Sequence, residues 1–309
     1  MGDSTRRPIA GRRSVLLGMA GLMSVALAAC TGTSDAAGPT QVPGSASGGP
    51  ATPPPVIAEI SKEEEAVALA ERGEVLPGKE QILKEFGGLQ PKEWGLHVTG
   101  VVDSSRSPHV ALTFDACGGP GGAACDQKLL STLRALKVPA TLFVNSRWIA
   151  ANPVLAADLA AEPLFELANH GTRHLPLSVT GKSAYGITGT AGVAEVFDEL
   201  TGNQAVMRGL TGKQPRFFRP GTAFYDEVAA AMTRRLGMVP VNFTVNGDGG
   251  ATYPPQTVAG EVGRAKAGDI VISHFNKPGS GTAEGYARVL PRMLDSGVTF
   301  AQLGQVLPT

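Results

Sequence analysis

Two histidines, His170 and His174, stand four residues apart in the segment Asn169-His170-Gly171-Thr172-Arg173-His174. A neutral imidazole is a good ligand for zinc and related divalent ions, and two from one short segment can clasp a single ion. The chain has only five histidines, and a third, His274, closes the apolar run Ile270-Val271-Ile272-Ser273. Asp115 follows Leu112-Thr113-Phe114, Arg219 follows Phe217-Phe218, and Asp248 lies in Asn246-Gly247-Asp248-Gly249. A metal, a base and an acid are the parts that metal-assisted hydrolysis uses. Each residue alone has a plainer reading: turn histidines, a helix cap at Asp115, a surface ion pair at Arg219, a satisfied core imidazole at His274.

Elements must bring these groups together. Short apolar runs predict strands at His109–Phe114, Ala140–Asn145, Phe165–Asn169, Arg216–Arg219, Val239–Val245, Ile270–His274 and Val298–Phe300. Longer amphipathic runs predict helices at Asp126–Leu136, Trp148–Ala160, Ala191–Leu210, Tyr225–Leu236, Pro255–Lys266 and Gly281–Ser296. The alternation argues for an α/β fold with a parallel sheet. About seven strand–helix repeats suit a distorted (β/α) barrel better than an open sheet. In such barrels the C-terminal strand ends form the chemical face, and Asp115, His170, Arg219, Asp248 and His274 each fall at or just past one. The polar connection Leu175–Thr190 is too long for a plain turn and reads as a substrate rim.

The N-terminal part carries address rather than fold. Arg6, Arg7, Arg12 and Arg13 precede an apolar run from Val15 to Ala29, closed by Leu27-Ala28-Ala29-Cys30. That is a signal peptide over 1–30, with Cys30 placed as the lipid-modified cysteine of a bacterial lipoprotein. Arg12-Arg13 also resembles a twin-arginine export signal. The expected location is the outer face of the bacterial cytoplasmic membrane, anchored through Cys30 and facing the cell wall. Residues 31–58, rich in Gly, Ser, Pro and Thr, form a flexible tether. Residues 59–90 are a charged, partly helical spacer that either caps the domain or extends the tether. Residues 91–309 suffice for one domain with its own core. Lys plus Arg equals Asp plus Glu at 27 each, so a nucleic-acid partner has no electrostatic support. Cys117 and Cys125 make an even pair in an exported chain, which favours a disulfide; free thiols, or Cys117 as a metal ligand, are the alternatives.

Five ordered pieces resemble the polysaccharide deacetylases, the NodB-type group also called carbohydrate esterase family 4. Leu112-Thr113-Phe114-Asp115 is similar to the first motif, and His170 to His174 to the metal-binding pair. Phe218-Arg219-Pro220-Gly221 is similar to the Arg-Pro segment, Asn246-Gly247-Asp248 loosely to the fourth motif, and Ile270 to His274 to the closing motif. The resemblance implies a distorted barrel of seven or eight β/α units, a divalent metal ion (zinc first), and removal of acetyl groups from carbohydrate. It makes Asp115 the base, His170 and His174 metal ligands, His274 the acid, Asp248 its holder, and Arg219 the residue that orients Asp115. An exported lipoprotein implies an acetylated polysaccharide as partner, peptidoglycan or another N-acetylhexosamine glycan. Trp94, Trp148, Tyr185, Phe224 and Tyr253 are candidates to stack on sugar rings.

The first motif departs from the family. Its second aspartate, a metal ligand, is Ala116 here, and the fourth motif lacks its tryptophan. Gly171 stands where Ser or Thr is common. The competing reading is a glycan-binding lipoprotein whose deacetylase fold lost its metal with Ala116.

Overall fold

The run from Ala111 to Ala116 is buried along its whole length, which a strand achieves only when both faces are covered. In the computed structural model, which describes residues 76–307, it is an interior strand, fifth in the order of a seven-stranded sheet. The expected signal peptide, the lipidated Cys30, the tether and the first part of the spacer lie outside the described residues. The strands are β1 (Ala111–Ala116), β2 (Ala140–Val144), β3 (Phe165–Asn169), β4 (Phe217–Phe218), β5 (Val239–Pro240), β6 (Val245–Asn246) and β7 (Ile270–His274). Their order is β5-β4-β3-β2-β1-β7-β6, and every pairing is parallel.

The sheet curls. β5 and β6 sit at opposite ends of the strand order, yet only Val241 to Thr244 lie between them. Five residue steps span at most about 18 Å of extended chain, so the two edges must approach each other. The segment around Val102 occupies that gap. Val102 bridges in parallel to Val241, Ser104 bridges to Asp269, and the Val102 N–H donates to the Pro240 carbonyl at 2.9 Å. The result is a distorted (β/α) barrel of seven parallel strands. The single strand expected over Val239–Val245 is thereby two short ones, each paired to a different edge. Val298–Phe300 supplies one bridge, Val110 to Phe300, and no full strand.

The helices are α1 (Lys79–Phe86), α2 (Gln127–Leu136), α3 (Ser146–Ala151), α4 (Pro153–Ala161), α5 (Val193–Thr211), α6 (Glu227–Arg235), α7 (Pro255–Val262), α8 (Thr282–Asp295) and α9 (Leu303–Val306). Asp126 caps α2 by accepting from the Leu129 N–H, and Asp226 caps α6 by accepting from the Ala229 N–H at 2.7 Å. Each such cap contributes about 1 kcal/mol. The helix expected at Trp148–Ala160 breaks at Asn152, because Pro153 has no N–H to continue the ladder and starts α4 instead. Ile82 of α1 is fully buried in a cluster with Val196 and Leu200 of α5 and Val228 of α6. The last third of the 59–90 spacer therefore caps the domain. Among the described residues no helix is long and apolar enough to cross a membrane.

Strand alternation decides what reaches the site. Leu112, Phe114 and Ala116 face the outer apolar layer with Leu129, Leu133, Tyr286 and Leu290. Ala111 faces the interior with Phe143, Phe217 and Val241. Thr113 and Asp115 share that interior direction, and both touch Arg219.

Candidate active site

Parallel strands carry their C-terminal ends to one rim. Asp115 is the penultimate residue of β1 and lies in register with His274, the last residue of β7. His170 follows β3, Arg219 follows β4, and Asp248 comes two residues after β6. The six residues expected to do chemistry thus meet at one end of the barrel. Asp115, Tyr185, Thr222, Asn246, Tyr253 and His274 line a cleft of about 580 Å³ there.

Arg219 is wholly buried yet fully engaged. Its Nη1 donates to Asp115 Oδ1 and to Thr113 Oγ1, each at 2.9 Å, and Nη2 donates to the Asn242 carbonyl at 3.1 Å. The guanidinium stacks 4.2 Å from the Phe143 ring centre. Asp115, 2% exposed, is held by one oxygen. Its other oxygen, Oδ2, is free to face His170 Nε2 at 3.7 Å.

The histidine segment is braced from below. His170 Nδ1 donates to the Arg219 carbonyl at 2.8 Å, which turns Nε2 toward the site. Asn145 Nδ2 donates to the carbonyls of His170 and Gly171 at 2.9 and 2.7 Å. The buried Glu199 carboxylate accepts the backbone N–H groups of Arg173, His174 and Leu175 at 2.8–3.2 Å. Gly171 has φ +78°, and a Cβ there would collide with that carboxylate. A Ser or Thr at this position would strain the backbone and displace the Glu199 carboxylate. His170 and His174 stack edge-on with centroids 4.9 Å apart.

Cys117 and Cys125 are free thiols, not the expected disulfide. Cys117 turns its Sγ to His170 Nε2, at 3.9 Å, while Cys125 packs against the outer apolar layer and accepts from Gln127. Burial alone would raise the Cys117 thiol, but His170, His174 and His274 outweigh it and hold it well below the usual thiol value. Burial would likewise lower His170, and the charges of Asp115 and Cys117 raise it instead. Those charges favour a cation at this spot. The ligand atoms of Cys117, His170 and His174 all lie within 4.8 Å of one another, and His174 Nε2 is buried with no hydrogen-bond partner. An orphaned imidazole nitrogen beside a thiol and a second imidazole fits a divalent metal ion.

The opposite side of the site is an acid pair. Asp248, fully buried, accepts from His274 Nδ1 at 3.0 Å, from the His274 N–H at 2.7 Å and from Thr282 Oγ1 at 3.0 Å. Burial works to lower His274; the Asp248 charge and hydrogen bond overcome it and lift the imidazole well above its ordinary value.

Aromatic groups collect at the rim. Trp94 and Phe224 stack with centroids 5.6 Å apart, and Tyr185, 76% exposed on the Leu175–Thr190 connection, meets Phe224 edge-on at 5.4 Å. Trp148 belongs to the core: it is buried, and its Nε1 donates to the Ala124 carbonyl. His97 pairs with Asp103, and His109 with Thr299. Sequence reasoning missed Glu199, Asn145 and Thr282. Glu199 lies mid-helix in α5 and reads like any exposed helical glutamate.

A parallel (β/α) barrel with a buried Asp–Arg pair and an imidazole cluster at its C-terminal rim is the framework of a barrel hydrolase. The polysaccharide deacetylase family profile matches residues 103–241. The chitooligosaccharide deacetylase of Bradyrhizobium sp. (strain ANU 289) is 30% identical over 181 residues, 58% of this chain and 75% of that one. Two solved structures share the fold at a TM-score of 0.56. One is a carbohydrate esterase family 4 pseudoenzyme from Bacillus anthracis, 20% identical over 72% of this chain and 70% of that one. The other is a peptidoglycan N-acetylglucosamine deacetylase, 21% identical over 67% and 92%. The chain belongs to the polysaccharide deacetylase family, hydrolases of carbon–nitrogen bonds outside peptides. The family is metal-dependent, and the Cys117, His170 and His174 group could hold a metal.

Proposed function

We propose that this protein removes N-acetyl groups from a cell-wall glycan, using a divalent ion, zinc first, held by His170 and His174. One observation carries the reading: Asp115 is clamped by Arg219 with its free oxygen 3.7 Å from His170 Nε2, in a cleft that His274 also lines. His170 and His174 would hold the divalent ion, which would supply polarisation of the acetyl carbonyl and a water competent as a nucleophile at neutral pH. Asp115 accepts the proton that the attacking water gives up. Arg219 fixes the carboxylate so that Oδ2, rather than Oδ1, meets that proton. His274, kept protonated by Asp248, gives its proton to the departing amine nitrogen as the carbon–nitrogen bond breaks. The products are acetate and an amino sugar.

The glycan assignment draws on the cleft and on the start of the chain. A volume of about 580 Å³ is in the range of small-molecule sites and suits a sugar ring with its acetamide. Tyr185, propped by Phe224 and Trp94, offers an aromatic face to a neighbouring ring. The arginine-led apolar segment and Cys30 support export and lipid anchoring at the outer face of the cytoplasmic membrane, where peptidoglycan is the nearest acetylated polymer.

Acetate release from N-acetylated glycan oligomers, with and without a chelator, tests the reading. Zinc-supplemented protein should release acetate, chelation should stop it, and Asp115→Asn should lose at least about 100-fold with the fold intact. Near wild-type turnover in Asp115→Asn would remove it as the base. Glycan binding without acetate release would leave the chain a binding protein.

A further inference from the structure

We propose that Cys117 is the third protein ligand of the ion gripped by His170 and His174, its thiolate standing in for the carboxylate that Ala116 does not supply. The inference rests on the metal-dependent reading above. The position of Ala116 explains why the change does not leave a gap. Its methyl group lies in the outer apolar layer with Leu112 and Phe114, on the face of β1 turned away from the site. A carboxylate on this backbone at 116 would enter that layer rather than reach the histidines. The next residue is the first past the end of β1, and there the chain turns the side chain inward. Cys117 Sγ lies 3.9 Å from His170 Nε2 and within 4.8 Å of a ring nitrogen of His174, a residue whose buried Nε2 has no hydrogen-bond partner.

The loop after Cys117 holds this pose. Arg147 Nη2 donates to the Cys117 carbonyl at 3.1 Å. Gly118 N–H donates to the Gly122 carbonyl, which also accepts from Asn276 Nδ2 at 3.0 Å. Gly118 has φ +65°, and a Cβ on it would come 2.6 Å from the Trp148 backbone nitrogen. The turn can pass this close to α3 only with glycine there. Asp115 is drawn the other way by Arg219, so it need not serve as ligand and base at once.

Chemistry then follows from the donor. On binding, the thiol gives its proton to solvent and the sulfur donates a lone pair to the ion. A soft thiolate with two imidazoles favours zinc or cobalt over magnesium, calcium or manganese, which prefer oxygen donors.

The test is optical titration of the full chain with cobalt(II), followed by displacement with zinc. Wild type should show visible ligand-field bands and a near-ultraviolet sulfur-to-cobalt charge-transfer band, both bleached by zinc. Cys117→Ser should lose the near-ultraviolet band, keep ligand-field absorption and bind zinc about 100-fold more weakly. Cys125→Ser should match wild type. In the unmutated chain, zinc should protect Cys117 but not Cys125 from alkylation, mapped by peptide mass. Ala116→Asp should lose thermal stability without gaining zinc affinity. Ligand-field bands with no charge-transfer band in wild type, or unprotected Cys117, would overturn the thiolate ligand and leave the metal-dependent reading standing. A rise in zinc affinity in Ala116→Asp would do the same. Failure of both cobalt and zinc to bind would overturn the metal-dependent reading and this inference together.

Discussion

Two imidazole–carboxylate pairs sit on the same rim, built to opposite ends. In the Asp115–His170 pair the carboxylate belongs mainly to Arg219, and His170 Nδ1 donates to a backbone carbonyl. The imidazole's other nitrogen looks across to Asp115 at 3.7 Å, too far for a hydrogen bond, and makes only a long sulfur contact with Cys117 at 3.9 Å. In the Asp248–His274 pair the carboxylate takes three hydrogen bonds, two of them from His274 itself. The partner on Nδ1 therefore separates the roles. On the function proposed above, the carbonyl fixes the His170 ring with Nε2 free to take an ion, and the buried Asp248 carboxylate keeps the His274 ring charged for the part of proton donor.

The largest break in this contrast comes from Asp248→Asn. His274 is lifted by Asp248, so its protonated form survives to higher pH and its acid function is lost only as pH rises through the raised value. Removing the charge should lower kcat about 100-fold and move the basic limb of the kcat/KM–pH profile to lower pH. A limb that stays in place would show that Asp248 does not govern His274. Glu199→Gln acts on the other pair. It weakens the charge-assisted acceptor for three backbone N–H groups, so about 2 kcal/mol of stability should go, seen by denaturant unfolding. Zinc affinity should fall about tenfold with it, while the pH limb set by His274 stays where it was. Tyr185→Ala touches neither pair. KM for glycan oligomers should rise a few-fold with kcat held, and the single-sugar substrate should show no change. Equal losses on both substrates would remove Tyr185 as a platform for a second ring.

Much of the frame was legible because apolar period and chain order are local. β1, β2, β3 and β7 fall within two residues of their expected ends, since each is a parallel strand of five or six residues, mostly buried and mostly apolar. β4, β5 and β6 are two residues long, too short for any period to register, and only pairing with a neighbouring strand defines them. Likewise Asp115, His170, Arg219, Asp248 and His274 were visible as polar residues ending apolar runs. Glu199 was not, because its partners are backbone groups 24 to 26 residues away.

The cysteines show where local reading stops. Parity and a glycine-rich spacer favoured a bridge between Cys117 and Cys125, and no rule of spacing could tell which way each thiol points. By itself the chain determined the kinds of group available, their order, and the strand ends that would carry them to one rim. Tertiary structure alone decided the direction of each side chain: Ala116 outward into oil, Cys117 inward to the imidazoles, one oxygen of Asp115 taken and one left free. The physical reason is that a strand's alternation is fixed by its neighbours across the sheet, and the sense of the turn beyond it by contacts such as Arg147 on the Cys117 carbonyl.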